Sequence, residues 1–268
     1  MNAMDHIPLG MVFLISVLAQ VAFIEFGFRY GQSRRSQGKK AQLAQVRAIM
    51  GAGLGLLAFM LAFSFSMAQM HFDQRKQAYM MEVSAIDSAY RGADLIPSDK
   101  RVQAKELLQH FTRLRLETTQ AARSADIDAV VEMVRESERI HDMLWKVAEL
   151  SMEGGGDHED TGIFAQSVLA MINAHDARLQ AALFNRISPV IWLTLFFIAL
   201  LSMVVMGYQA GLTGTRSSLA TWALAVTFST VMTLVIDLDR PNMTLFQMNQ
   251  QLMAELENRM DGRPGDLP

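Results

Sequence analysis

The sequence predicts an all-α fold: a four-span helical membrane protein with an extramembrane helical bundle between spans two and three. Three observations carry this. Four stretches are free of charge, namely Ile7 to Ile24, Ala48 to Met70, Ile187 to Thr215 and Ser217 to Ile236, of 18, 23, 29 and 20 residues. A bilayer core about 30 Å thick is crossed by about 20 helical residues. Between the second and third stretches the apolar residues recur at helical spacing, and no strand-like alternation of any length occurs. A soluble chain could also reach the overall 51% hydrophobic content, so the clustering into blocks decides the matter.

The first block has the length of a secretory signal, but its flank carries Asp5 in place of a Lys or Arg cluster. Glu25, Arg29 and Tyr30 follow it where a small-residue cleavage site would stand, so it reads as a retained span. Glu25 and Arg29 form an i,i+4 pair. The second block continues without a breaker into Tyr79, Val83, Ile86 and Tyr90, and the helix is expected to stop near Pro97. "PSDK" then offers Ser98 as an N-cap. Ala104, Leu107, Leu108, Phe111 and Leu114 form the next apolar stripe, and Ile127, Val130, Val134 and Leu144 another. "EGGGDHED" (153–160) is the clearest loop; its acids lack the alternating ligand pattern of a calcium loop and read as a solvated turn. Phe164, Val168, Met171, Ile172, Leu179 and Leu183 lead into Pro189 and the third span. After the fourth span "DLDRP" breaks the pattern. Met243 to Arg259 reads as a last helix and the tail as disordered. The expected domains are a first transmembrane hairpin (1–70), a bundle continuous with spans two and three (71–187), a second hairpin (188–236) and a C-terminal helix with its tail (237–268).

Orientation follows from Lys and Arg near the spans. The 29–47 loop holds Arg29, Arg34, Arg35, Lys39, Lys40 and Arg47 with no acid, and Arg216 lies on the same side. The other side has Arg75, Lys76, Arg178, Arg186 and Arg240. The basic loop is therefore placed in the cytoplasm. The chain becomes a multi-pass protein of the cell membrane with its bundle on the extracytoplasmic side.

On span two, Gly51, Gly55, Ala58, Ala62, Ser66 and Gln69 share one face. Small residues let helices approach closely in lipid, so packing explains the face simply. A water-lined pathway explains it too, with Phe59 and Phe63 as an apolar constriction. Ala58, Phe59, Ala62, Phe63 and Ser66 are the pore-lining candidates. Asp73, Arg75, Arg186, Asp237, Asp239 and Arg240 sit at the ends of spans, as interfacial anchors and ion pairs or as charges at a pore mouth. His141 and His175 lie on or beside apolar stripes. There a histidine is ordinarily a hydrogen-bonded core residue, and a pH-sensing or metal pair is the sharper alternative.

No nucleophile elbow, phosphate-binding loop or HExxH run is present, so the chain does not read as an enzyme. With no cysteine and no paired ligand spacing, no metal or cofactor is expected, and a net charge of −3 gives no sign of a nucleic-acid partner.

The runs "LAFSFSMAQMHFDQRKQ", "INAHDARLQAALFNRISPVIWL" and "VIDLDRP" resemble those of the bestrophin-like bacterial membrane proteins, from span one to the last run. A more distant similarity reaches the bestrophins themselves, pentameric anion channels with four spans per subunit. Their second span lines a neck with apolar residues four apart and ends in an aromatic-Asp-Arg-Trp-Trp run. Phe72 and Asp73 match its first two positions, and Gln74, Arg75 and Lys76 replace the rest. The resemblance implies a homo-oligomeric, pentameric passive channel for inorganic ions, with the neck near Ala58, Ala62 and Ser66. Anion preference comes from the resemblance alone, because residues 71–187 hold 14 basic and 19 acidic side chains. Bestrophins also keep their bundle in the cytoplasm, against the charge count here, and their acidic calcium clasp has no match. A membrane-held sensor or scaffold whose bundle binds a partner is the alternative function.

Overall fold

The computed structural model describes residues 7–35, 40–124, 126–153, 158–214, 218–240 and 250–262. Among them the chain is helical, with helices α1 (Leu9–Ser33), α2 (Lys40–Gly92), α3 (Ser98–Arg123), α4 (Ile127–Glu153), α5 (His158–Leu183), α6 (Pro189–Thr213), α7 (Ser218–Asp239) and α8 (Gln251–Met260). A short 3-10 turn, Ala93–Leu95, follows α2. Four of these, α1, α2, α6 and α7, are long and apolar enough to cross a membrane. The contacts divide the chain into two units. One holds Met1–Phe72 and Arg186–Phe246, the other Asp73–Asn185 and Gln247–Pro268.

The helix of span two runs past its uncharged stretch to Gly92, because nothing between residues 70 and 92 breaks it. The expected continuity into span three does not hold. The fifth helix ends at Leu183 and the sixth begins at Pro189, with Ser188 as its N-cap and the Ser188 Oγ accepting from the Val190 N–H. Proline has no N–H to donate and fits the first position of a helix, so it starts α6 and does not continue α5. Ser98 does not act as an N-cap either. It is already helical, and the Pro97 carbonyl accepts the first bonds, from the N–H groups of Lys100 and Arg101. Of the anticipated last helix, residues 250–259 are described and helical from Gln251 onward. Residues 243–249, the tail from 263, Gly154 to Asp157, Lys39 and Arg216 lie outside the described residues.

In the first unit, α1 crosses α6 through glycine. Gly27 and Gly31 face Gly207 and Gly211, and a Cβ added to any of the four would overlap a backbone carbonyl of the other helix: that of Val204, Tyr208, Ile24 or Phe28. Contact this close needs residues without side chains. Leu57 and Leu61 of α2 pack with Leu195, Ala199 and Met232, and Ala68 with Ile187, Trp192, Val235 and Ile236. One polar cluster joins α1 to α7: Gln20 Nε2 donates to Ser229 Oγ at 2.8 Å and to Ser16 Oγ at 3.1 Å.

In the second unit the predicted stripes form one core. Tyr79, Val83 and Ile86 of α2 meet Ala104, Leu108, Phe111 and Leu114 of α3, Ile140, Leu144 and Val147 of α4, and Phe164, Val168 and Met171 of α5. The stripe expected to begin at Ile127 starts further along, since Ile127 is exposed, as is Leu183 at the end of α5. The eighth helix buries Met253, Leu256 and Met260 in the same core. The carbonyl of Met260, left free at the helix end, accepts from Tyr90 Oη (3.2 Å) and Gln109 Nε2 (2.8 Å).

Candidate functional site

The second span of the first unit has two different sides. Leu57, Leu61, Ser64 and Ala68 are buried at helical spacing against α6 and α7. Gly51, Gly55, Ala58, Phe59, Ala62, Phe63 and Ser66 are exposed, and a Cβ at Gly51 or Gly55 would meet nothing within 4 Å. All five pore-lining candidates therefore lie on the exposed side of α2, away from its buried contacts with α6 and α7 among the described residues. The GxxxG of this span closes no contact within the chain, whereas those of α1 and α6 close a whole crossing. Sequence reasoning singled out Gly51 and Gly55 and passed over Gly27/Gly31 and Gly207/Gly211, which carry the same four-residue spacing. Spacing cannot say which pair has a partner.

Large apolar side chains are exposed on every span: Met11, Leu14, Ile15 and Leu18 on α1, Leu56, Phe59, Phe63 and Phe65 on α2, Val190, Leu193, Phe197 and Leu201 on α6, and Leu219, Trp222 and Val226 on α7; on α2 they alternate with the small residues of the 51–66 row. Large apolar side chains suit acyl chains. A row of Gly, Ala and Ser offers few apolar atoms to acyl chains and is the kind of surface through which another helix approaches closely.

The charges at the span ends are placed inside each unit. In the first, Asp237, Asp239 and Arg240 are buried and Arg186 half-buried. One oxygen of Asp239 accepts from the Ile187 N–H at 2.8 Å and lies 3.8 Å from His71 Nδ1. Arg240 donates to the Ile7 carbonyl at 2.9 Å. In the second, Arg75 is buried and donates to the Asn185 carbonyl at 3.3 Å, Gln74 pairs with the Asn185 side chain at 2.8 Å, and Asp73 is exposed. Glu25 and Arg29 pair on α1 at 2.9 Å, as their spacing implies.

A further constellation sits in the bundle, about three turns along α2 beyond its uncharged stretch. Glu82 is fully buried. One carboxylate oxygen pairs with Arg178 of α5; the other lies 3.0 Å from Arg115 Nε of α3 and 2.9 Å from His175 Nδ1 of α5. Arg178 also stacks over the Tyr79 ring, 5.0 Å from its centroid. His141 of α4 meets His175 edge-on with ring centroids 4.9 Å apart, and Phe111 touches both rings. Burial works against ionised Glu82, but Arg178 and Arg115, aided by the His175 bond, outweigh it and hold the carboxyl at about 2. Burial pulls Arg115 down to about 10 even beside Glu82. Burial, with His175 next to it, lowers His141 to about 4. Among the described residues no group of three or more His, Cys, Asp or Glu is arranged to hold a metal ion.

The two histidines named from sequence are thus brought together, while Glu82 and Arg115 were missed. A signal for them existed. Glu82 stands on the stripe of Tyr79, Val83 and Ile86, and Arg115 continues Ala104, Leu108 and Phe111, so each is a charge on a core-facing side.

No curated protein sequence matches this one. The chain is similar in fold to solved structures. A crystal structure of a point variant of a membrane protein has a TM-score of 0.65 at 16% identity, covering 96% of this chain and 100% of that one. Another variant has 0.65 at 15%, covering 97% and 99%. A mutant of a bacterial bestrophin homologue from Klebsiella pneumoniae has 0.64 at 15%, covering 94% and 98%. The Bestrophin-like domain matches residues 13–243. Four apolar spans, an intervening helical unit and that match over most of the chain make this a membrane protein of the bestrophin fold, and the chain belongs to the Bestrophin-like family.

Proposed function

We propose that this chain is one subunit of a pentameric, bestrophin-like passive ion channel whose conduction path runs along the small-residue side of α2. Phe59, Ala62, Phe63 and Ser66 form the constriction, Ala58 lies beside it, and the exposed Asp73 stands at its mouth, while the buried Arg75 bonds the Asn185 carbonyl instead. The observation that carries the reading is the contrast between α2 and its neighbours. Among the described residues, α2 leaves Gly51, Gly55, Ala58, Ala62 and Ser66 exposed beside Leu56, Phe59 and Phe63, while the exposed residues of α1 and α6 are mostly bulky. Such a side is suited to another subunit or to water, and a ring of subunits supplies both. Phe59 and Phe63, 65% and 51% exposed and one turn apart, are suited to a constriction that gates by dewetting.

The test is ion flux from liposomes holding the purified protein, with its subunit number measured in parallel. Flux above empty vesicles that falls in Ala62→Phe and Ser66→Phe supports the reading. Flux that neither variant alters removes α2 from the path. A closed homo-oligomer without flux under varied pH and Ca²⁺ argues against conduction. A monomer or dimer isolated with a foreign partner favours the scaffold alternative.

A further inference from the structure

The buried cluster of the bundle is a site of its own, independent of any conduction path. Its members face one another from four helices. The carboxylate of Glu82 comes from α2 and the guanidinium of Arg115 from α3. His175 and the guanidinium of Arg178 come from α5, and His141 from α4. Two guanidiniums face one carboxylate, so the interior already holds one surplus positive charge before either imidazole is counted. Glu82, His175, Arg115 and His141 are 0%, 1%, 4% and 7% exposed. The Nε2 atoms of both histidines are buried without a hydrogen-bond partner.

The two histidines are not equivalent. His175 is tied through Nδ1 to the Glu82 carboxylate, the charge centre of the cluster. The His141 ring is wedged between Phe111 and His175, with an apolar ring on one side and an imidazole on the other. A proton arriving on His141 would be a second uncompensated positive charge in a buried interior. An unpaired buried charge is among the least tolerated features of a fold. Among the described residues the carboxylate that pairs within the cluster is Glu82, and two guanidiniums already share it. The simplest relief is movement of α4, which among the described residues meets the cluster through the His141 ring.

We propose that His141 is an acid-operated release for α4: by taking a proton from solvent it frees this helix from α3 and α5, while Glu82, Arg115, Arg178 and His175 hold the remaining helices together. The linkage has a definite sign. The folded imidazole binds its proton less readily than the unfolded one, so protection of α4 is complete above about pH 6.5 and declines as pH falls toward 4.

The test is amide hydrogen exchange of the full chain in detergent or nanodiscs, read as protection factors at pH 7 and pH 4.5. Protection of α4 is expected to fall by up to about 100-fold across that interval, with α6 unchanged as an internal reference. The fall should vanish in His141→Phe. Should that variant not fold, His141→Gln serves, because it also removes the titration. Constant protection of α4 in the wild type overturns the proposal. So does a fall that survives both substitutions, which would assign it to His175 or to general acid loosening.

Discussion

Between α1 and α6, four glycines let backbone meet backbone. Among α2, α3, α4 and α5, a carboxylate, two guanidiniums and two imidazoles occupy the interior instead. In lipid, apolar side chains gain little by leaving one apolar medium for another, so close van der Waals contact joins the spans. In the bundle the core of Phe111, Phe164, Leu144 and Met171 supplies hydrophobic burial. That leaves room for a charged cluster whose members must stay paired. The first kind of contact tolerates almost no added atom, and the second tolerates almost no missing charge.

The sharpest way to break this comparison is Glu82→Gln. It leaves Arg115 and Arg178 facing each other without their shared carboxylate and should destabilise the bundle by about 3–5 kcal/mol. Thermal unfolding with proteolysis reports it, and cleavage should appear between residues 73 and 185 first. A loss under about 1 kcal/mol would mean the guanidiniums find other partners. Acid acts on the same carboxyl. Its folded value is near 2 and its ordinary value 4.5, so its contribution is whole above pH 4.5 and is lost as pH falls toward 2. That loss amounts to about 3 kcal/mol, visible as a falling melting temperature that Glu82→Gln no longer shows below pH 4.5.

In the membrane unit, Gly207→Val should cost about 1–3 kcal/mol or prevent assembly, because the added atoms overlap the Ile24 carbonyl. A wild-type melting profile in detergent would contradict the close crossing. Gln20→Leu removes the bonds to Ser16 and Ser229 and should cost only about 0.6–2 kcal/mol, so a larger loss would show that polar contacts matter more to the spans than glycine does. The smallest effect is expected from Gly55→Ala, whose Cβ meets nothing in the chain. It should leave the monomer unharmed, or gain up to about 1 kcal/mol of helix propensity. A variant that keeps its monomer stability but changes its subunit number would place Gly55 at a contact between copies.

How much of this could be read from sequence depended on how local each property is. The spans follow from the length of uncharged runs, and the stripes of α2, α3 and α5 from the period of the helix. Both are set by neighbours a few residues away. Pro189 ends a helical run for the same local reason, although the sequence reading carried the helix past it. Lone charges on the apolar stripes, Glu82 and Arg115, were visible too, yet a charge on a stripe announces a partner without naming it. Which GxxxG closes a crossing depends on a helix about 180 residues away. Whether Glu82 meets Arg115, His175 and Arg178 depends on three other helices arriving in register. Helical period and bilayer length are written in consecutive residues, and sequence alone determined them; pairing between distant segments is decided by which surfaces fit when the helices pack, and only the tertiary structure could supply it.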